Sequence, residues 1–337
     1  MIPNPTIALL IFSILVLLIY LGIKTRVWNR RTKAQRLKAQ VEDVLKQLYH
    51  VQHSNKKATL NAMAGALKMS DSKLVYLLEH MAGLNLIRLK GQHIYLTESG
   101  TDYALKIIRV HRLWEKYLSE ETGIDKSEWH QRAEMMEHNL TADQADELYR
   151  SLGSPRFDPH GDPIPMKSGE IIESSATPLS GIHPGKYVRI THIEDEPEVI
   201  YKQIINEKLH IDQQLKVLSC DDNKTRFLSE GIEYELSTIV ASNISVKELN
   251  DEESFEAQAV RLSTLKEGEK AKVVGISKEC RGANRRRLLD LGFIKGTTIE
   301  TGLDGPMEEP KAYRIKNTLI ALRNDQADLI LIEKIAS

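Results

Sequence analysis

A proline-rich segment divides the sequence into a helical half and a β-rich half. The stretch SPRFDPHGDPIP at residues 154–165 contains four prolines and one glycine, and a helix cannot continue through such a composition. Before it, apolar residues recur at helical spacing, as in LKAQVEDVLKQLY at 37–49. After a polar stretch at 166–176, the sequence changes to short β-type runs. We therefore expect an α+β chain whose helices precede its strands.

The β-rich half contains an internal repeat. Five positions of a first copy recur at a constant offset in a second copy, where Leu179, Ser180, Gly185, Ile190 and Ile193 correspond to Leu262, Ser263, Gly268, Val273 and Ile276. An acidic stretch at 250–256 separates the copies. The repeat predicts two small SH3-like β-barrel modules, at 178–247 and 258–337.

The amino-terminal residues have a different composition from the rest. The run TIALLIFSILVLLIYLGI at 6–23 contains no charged residue, and as a helix of about 18 residues it would reach about 27 Å. A cleaved signal peptide is the alternative, but the basic residues follow the apolar run instead of preceding it. We expect a transmembrane helix and basic juxtamembrane segment at 1–38, in the cytoplasmic membrane. By the positive-inside rule, the single span leaves all later domains in the cytoplasm.

Residues 39–100 have the pattern of a winged helix-turn-helix. Two short helices joined by a turn precede two strands that flank Lys90 and Gly91. Between Lys56 and His93, lysine and arginine outnumber acidic residues, which favours contacts with the phosphates of double-stranded DNA. The candidate DNA-binding residues are Ser70, Ser72, Lys73, Tyr76, Arg88 and Lys90. The alternative is a winged helix that packs only against protein, and Glu79 on the second helix would repel DNA.

Residues 101–165 carry side chains at metal-ligand spacing. In WHQRAEMMEH, both imidazoles and both carboxylates lie along one helical face, at His130, Glu134, Glu137 and His138. Upstream, His111 and Glu115 form a further i,i+4 pair. Solvated helices rich in Glu and His are common, but six nitrogen and oxygen donors on adjacent helices favour a divalent cation site.

These residues resemble the iron- and manganese-dependent repressors typified by the diphtheria toxin repressor. The resemblance covers about residues 41–165 and depends on HRLWEKYL, the ligand spacing from His130, and PRFDPHGDPIP. It implies a winged helix-turn-helix followed by a helical domain for dimerisation and metal binding, often with an SH3-like third domain.

The resemblance also implies two metal sites for Fe²⁺ or Mn²⁺. His111, Glu115 and His130 would form one, and Glu134, Glu137 and His138 would form the other together with Asp43 of the first helix. Iron-responsive members have cysteine at the position of Glu134, whereas manganese-responsive members have glutamate. Lys46 departs from the manganese pattern because it stands where an acidic ligand would stand, and Asp43 as an ordinary helix acid is the alternative to its role as a ligand.

The last module resembles FeoA-like domains, small SH3-like barrels associated with ferrous iron uptake. The resemblance extends over about residues 260–332 and is carried by RLSTLKEGEKAKVVGI, RRRLLDLGFIKGTTIE and AYRIKNTLIALRNDQADLI.

Together these features predict a membrane-anchored, metal-dependent regulator that binds operator DNA as a homodimer and represses metal-uptake genes. The alternative is a membrane-docked FeoA-like accessory protein that contacts a ferrous iron transporter and has a winged helix that does not bind DNA. We expect no enzymatic activity, because the sequence offers no nucleophile–base pair and no phosphate-binding loop.

Overall fold

The computed structural model describes residues 32–54, 56–172, 176–250, 259–304 and 309–335, with only the backbone at 303 and 304. The chain forms two compact units. The first extends to Val110 and also includes Glu137–Ala142 and Lys167–Gly169. The second comprises His111–Met136, Asp143–Met166 and the residues from Glu170 onward.

The first unit contains the winged helix-turn-helix. Helix α1 covers 32–53, followed by α2 (Leu60–Ala66) and α3 (Asp71–Gly83). Thr59 caps α2 through its side chain, which accepts a hydrogen bond from the amide of Ala62 at 3.4 Å. The apolar face of α3 is buried at Leu74, Leu77, Leu78 and Met81, as its periodicity predicts.

The wing is an antiparallel hairpin of β1 (Ile87–Lys90) and β2 (His93–Leu96). Its register pairs Ile87 with Leu96 and Lys90 with His93. Alternation buries Ile87, Ile94 and Leu96 and leaves Arg88 and Lys90 exposed. The two predicted basic residues of the wing therefore face solvent.

The second unit begins inside helix α4 (Glu98–Glu121), which contributes residues to both units. A 3₁₀ turn, Lys126–Glu128, leads into α5 (Trp129–Glu137), and α6 (Ala142–Ser151) follows. The proline-rich segment has an ordered path because Arg112 of α4 binds it. The Arg112 guanidinium donates to the carbonyl oxygen of Pro163 at 2.5 Å and to Asp162 at 3.1 Å.

Two antiparallel six-stranded sheets complete the second unit. The first has the order β3-β8-β4-β5-β6-β7. Its strands are β3 (Thr177–Pro178), β4 (Tyr187–Ile193), β5 (Gln214–Cys220), β6 (Lys224–Ser229), β7 (Ile232–Ser237) and β8 (Ile244–Glu248), with helices α7 (Glu198–Asn206) and α8 (Thr238–Ser242). The second has the order β13-β12-β11-β10-β14-β9. Its strands are β9 (Val260–Arg261), β10 (Lys270–Ile276), β11 (Thr298–Asp304), β12 (Lys311–Ile315), β13 (Thr318–Leu322) and β14 (Ile330–Lys334), with helices α9 (Gly282–Asp290) and α10 (Asn324–Ala327).

The internal repeat of the sequence corresponds to these two modules. Leu179 and Leu262 both begin a 3₁₀ turn and are fully buried in the cores of their own modules. Gly185 and Gly268 have φ of 88° and 77°, values that favour glycine. The prediction of two SH3-like β modules after a helical half is confirmed.

The predicted N-terminal transmembrane helix requires correction. The run at 6–23 lies outside the described residues, and no helix within the described ranges is both long enough and apolar enough to cross a membrane. Helix α4 has the length, with 24 residues, but charged side chains recur along it. The prediction of a transmembrane helix, and with it the single-pass placement in the cytoplasmic membrane, has no support among these helices and is not retained.

Candidate metal centre

Helix α4 supplies the buried part of the first candidate site. His111 and Glu115 lie one turn apart, so both side chains emerge from the same face of the helix. The two residues are 7% and 2% exposed, and His111 Nε2 lies 3.0 Å from Glu115 Oε1. A buried carboxylate requires a positive partner, and here imidazoles surround it.

His130, near the start of α5, completes the predicted group. Its Nδ1 lies 3.2 Å from Glu115 Oε1, and its ring lies edge-on to that of His111 with 4.8 Å between the centroids. Burial opposes protonation of His130. Interactions with Asp195, Glu115 and Glu134 outweigh burial and raise its pKa to about 12.

Two further residues join this group that the sequence did not single out. Asp195 follows strand β4 of the first β module, and its Oδ2 lies 2.9 Å from His130 Nδ1. His160 of the proline-rich segment is 3% exposed and points Nε2 at Glu115 Oε1 from 3.8 Å. That Nε2 atom makes no hydrogen bond within the described residues. We call these five residues, His111, Glu115, His130, His160 and Asp195, the histidine cluster.

The histidine cluster has the chemistry of a divalent-metal site. The cluster contains two groups of three ligand atoms, and within each group the atoms lie within 4.8 Å of one another. The first group comes from His111, Glu115 and His130, and the second comes from Glu115, His160 and Asp195. Burial by itself would raise the pKa of Glu115, but the three imidazoles lower it well below its usual range. The carboxylate is therefore ionised, and the unpaired His160 nitrogen is a buried polar atom whose missing partner a cation would supply. The donor set fits a metal ion.

Glu134 lies beside this cluster. Its Oε1 is 3.6 Å from His130 Nε2, and its side chain is 49% exposed. It belongs to none of the three groups of converging ligand atoms that the described residues form. The structure therefore brings Glu134 to His130, whereas the resemblance assigns it to the site of Glu137 and His138.

A second group of ligand types lies in the first unit. Asp43 of α1 meets Glu137 and His138, with His138 Nε2 lying 3.2 Å from Asp43 Oδ1 and 3.7 Å from Glu137 Oε1. Glu42, which the ligand spacing did not predict, lies with its Oε2 atom 2.7 Å from His138 Nδ1. Burial opposes protonation of His138, but hydrogen bonds to Asp43 and Glu42 raise its pKa to about 9. We call Glu42, Asp43, Lys46, Glu137 and His138 the α1 cluster.

Lys46 belongs to the α1 cluster because its ammonium binds Glu137. Lys46 Nζ lies 2.9 Å from Glu137 Oε1 and 3.2 Å from Glu137 Oε2. The Glu137 side chain is fully buried and that of Lys46 is 14% exposed. Both carboxylate oxygens of Glu137 are thus bonded to a cation that the chain itself provides.

The predicted DNA-binding residues lie on the exposed sides of α3 and the wing. Ser70 is the N-cap residue of α3, and Ser72 and Lys73 are exposed in its first turn. Tyr76 is 59% exposed, so its ring is accessible to a ligand. On the wing, the Arg88 guanidinium lies 6.0 Å from the centroid of the Tyr95 ring. The six residues (Ser70, Ser72, Lys73, Tyr76, Arg88 and Lys90) are all exposed, as DNA contacts require.

Two family models match the chain. The model for the metal binding and dimerisation domain of iron-dependent repressors matches residues 97–166, which contain the whole predicted ligand set except Asp43. The model for the FeoA domain matches residues 260–334, the second β module.

Curated relatives share parts of this arrangement. The iron-dependent repressor IdeR of Mycobacterium tuberculosis is 28% identical over 153 residues, covering 45% of this chain and 65% of IdeR. A probable metal transport system membrane protein of Chlamydia trachomatis is 42% identical over 73 residues, covering 22% of this chain and 16% of that protein. The chain thus spans less than two thirds of the length of these relatives.

Solved structures of metal-dependent repressors have a similar fold. A manganese-dependent transcriptional repressor in complex with manganese is 27% identical, with a TM-score of 0.58 over 62% of this chain and all of that one. IdeR of T. acidophilum is 26% identical, with a TM-score of 0.52 over 62% of this chain and 97% of that one.

The metals named for these proteins agree with the prediction of Fe²⁺ or Mn²⁺, and their description as repressors supports the prediction that the chain is not an enzyme. With its helical ligand domain and its second β module matched in this way, the chain contains the metal binding and dimerisation domain of iron-dependent repressors and a FeoA domain.

Proposed function

We propose that the chain is a metal-dependent DNA-binding transcriptional regulator whose activating ion, Fe²⁺ or Mn²⁺, binds the histidine cluster. The observation that carries the proposal is that two groups of three converging ligand side chains, from four segments of the second unit, share Glu115. His111 and Glu115 come from α4, His130 from α5, and His160 and Asp195 from the segments beyond. A bound ion would neutralise two carboxylates and link the helical domain to the first β module.

The donor types favour hard or borderline metals. The cluster offers imidazole nitrogens and carboxylate oxygens, and none of the three ligand groups within the described residues includes a cysteine. Thiolate-poor sites of this kind suit Mn²⁺ and Fe²⁺ better than they suit the softer ions. The relatives described as iron-dependent and manganese-dependent support the same two metals.

DNA is the proposed macromolecular ligand, and α3 with the wing is the proposed contact surface. Lys73, Arg88 and Lys90 would neutralise phosphates, while Ser70, Ser72 and Tyr76 would approach the bases or the sugar-phosphate backbone. The regulator would bind as a homodimer through the matched dimerisation domain, and two half-sites would follow from the two-fold symmetry. The metal would act as corepressor by binding the operator-competent arrangement more tightly. We infer that the controlled genes serve metal uptake.

The test uses the full chain and a library of random duplexes selected with and without Mn²⁺. We expect selection of a two-fold symmetric sequence only when Mn²⁺ is present. Glu115→Gln removes the central carboxylate and should abolish the metal dependence of binding. Lys73→Ala should weaken DNA binding while leaving the Mn²⁺ affinity unchanged, because Lys73 lies on the exposed side of α3.

Two outcomes would contradict the proposal. If Mn²⁺ and Fe²⁺ bind but no duplex is enriched above the metal-free control, the winged helix does not act on DNA, and an accessory role becomes the better account. If Glu115→Gln binds both ions as tightly as the unmodified chain, the metal site lies elsewhere.

A further inference from the structure

The ammonium of Lys46 is the positive partner of the buried Glu137 carboxylate. Glu137 has a fully buried side chain and receives Lys46 Nζ on both carboxylate oxygens, at 2.9 and 3.2 Å. A carboxylate buried to this extent is stable only with a positive partner. In the α1 cluster, that partner is covalently part of α1.

The carboxylates around Glu137 explain why positive charge is needed there. Glu42, Asp43 and Glu137 converge on His138, so three carboxylates share one small volume. Lys46 contributes one positive charge at its buried side, and Lys38 contributes another at its surface, 3.5 Å from Glu42 Oε1. The Lys38 side chain is 49% exposed, so its contribution is screened by solvent.

A divalent ion on Glu137 would have to share that carboxylate with the Lys46 ammonium. An ion bound to a carboxylate oxygen would lie about 2–2.5 Å from it, and the ammonium already occupies both oxygens within hydrogen-bonding distance. The two positive charges would then lie within a few ångströms of each other in a buried site, where repulsion is strong. The α1 cluster as folded therefore does not fit a metal ion, although its ligand types suggest one.

We propose that Lys46 is a tethered cation that replaces a metal ion in the α1 cluster, so that each chain binds one divalent ion, in the histidine cluster, instead of two. The link between α1 and residues Glu137 and His138 is then present with or without metal. This inference rests on the proposed function for the histidine cluster, but it makes a separate statement about stoichiometry.

The decisive measurement is the number of Mn²⁺ ions bound per chain, from the loss of the free Mn²⁺ electron paramagnetic resonance signal during titration of the full chain. We expect a ratio of one for the unmodified protein, with no second ion bound up to about 100 times the first dissociation constant. A ratio of two would overturn the inference while leaving the proposed function intact. A ratio of zero would refute the proposed site in the histidine cluster.

Two substitutions test the assigned cause. Lys46→Glu removes the ammonium and adds a carboxylate, and we expect it to raise the ratio to two. Lys46→Met removes the charge while keeping most of the apolar part of the side chain, and it should also admit a second ion, at least tenfold more tightly than the unmodified protein does.

Lys38→Met is the matched control because it removes an equal charge beside Glu42 without touching Glu137, and it should leave the ratio at one.

Hydrogen exchange gives a second readout that does not depend on counting ions. Amides of α1 should be protected equally with and without Mn²⁺ in the unmodified chain, but should gain protection with Mn²⁺ in Lys46→Glu. If Lys46→Met and Lys46→Glu both retain a ratio of one and circular dichroism shows that both are folded, Lys46 does not exclude the ion and the inference fails.

Discussion

Asp195→Asn tests whether the first β module takes part in metal binding. The substitution keeps the size and shape of the side chain but removes the negative charge that lies 2.9 Å from His130 Nδ1. Asp195 has a side chain that is only 16% exposed, and interactions with His130 hold its pKa below its usual range against the effect of burial. The carboxylate is therefore ionised and close enough to act as a ligand or to orient His130.

The expected loss of Mn²⁺ affinity follows from the removal of one carboxylate from the site. Loss of a ligand-orienting or ligating group costs about 10- to 100-fold in metal affinity. At a free Mn²⁺ concentration of about 100 times the dissociation constant, bound metal stabilises the unmodified chain by about 2.7 kcal/mol. The same concentration would stabilise the variant by only about 0.4 to 1.4 kcal/mol.

Thermal unfolding with and without Mn²⁺ measures this difference directly. The unmodified chain should gain a larger shift of the melting temperature than Asp195→Asn at the same free Mn²⁺ concentration. Asp222→Asn, in an exposed turn of the same β module, is the matched control and should respond as the unmodified chain does. Equal Mn²⁺-induced shifts in Asp195→Asn and the unmodified chain would refute the participation of Asp195.

Three further predictions follow from the second unit. Because the pKa of His130 is about 12 without metal, its nitrogen must lose a proton before it can bind an ion. Mn²⁺ affinity measured by calorimetry should therefore rise about tenfold per pH unit between about pH 6 and 8. A pH-independent affinity would contradict this prediction. Glu230→Gln leaves the Arg261 guanidinium, 2.9 Å away and 6% exposed, without its carboxylate, and urea unfolding should show a loss of about 3–5 kcal/mol. Gly161→Ala places a Cβ 2.0 Å from the carbonyl oxygen of Thr191 at φ 95°, so it should lower the melting temperature more than Gly185→Ala, which has a similar φ of 88° but open space around the Cβ. Equal effects of the two alanine substitutions would show that backbone conformation, and not the close approach, is what matters.

Local patterns were sufficient to predict the elements of the chain. The apolar positions Leu74, Leu77 and Met81 identified the buried face of α3, because helical periodicity records burial directly. The repeat that relates Leu179 to Leu262 predicted two β modules, because each copy must build its own core. The apolar run at 6–23 predicted a membrane span, but it lies outside the described residues, and no described helix is long and apolar enough to cross a membrane.

Ligand spacing identifies neighbouring side chains on one helix, but it does not identify their contacts with other elements. Positions four apart on α4 identified His111 and Glu115 as neighbours, and the structure has them 3.0 Å apart. The spacing on α5 could not reveal which residues of other elements each side chain meets. Asp195 lies in the acidic run at 194–196 after β4, and only the folded path of the chain brings it to His130. The acidic run was the available signal, but solvated turns have the same composition.

Two residues outside the helical ligand pattern determine how the two clusters differ. Asp195 adds a carboxylate to the histidine cluster, where its positive partner is the His130 imidazolium, and a His160 nitrogen there has no hydrogen-bond partner within the described residues. Lys46 does the opposite in the α1 cluster, where its ammonium satisfies both oxygens of Glu137. Because an imidazolium can give up its proton when a metal ion binds, whereas the Lys46 ammonium keeps its charge, similar ligand types lead to different outcomes in the two places. One exchange of charge in each direction, Asp195→Asn and Lys46→Glu, should therefore weaken the first site and open the second, and the two effects should be independent when the substitutions are combined.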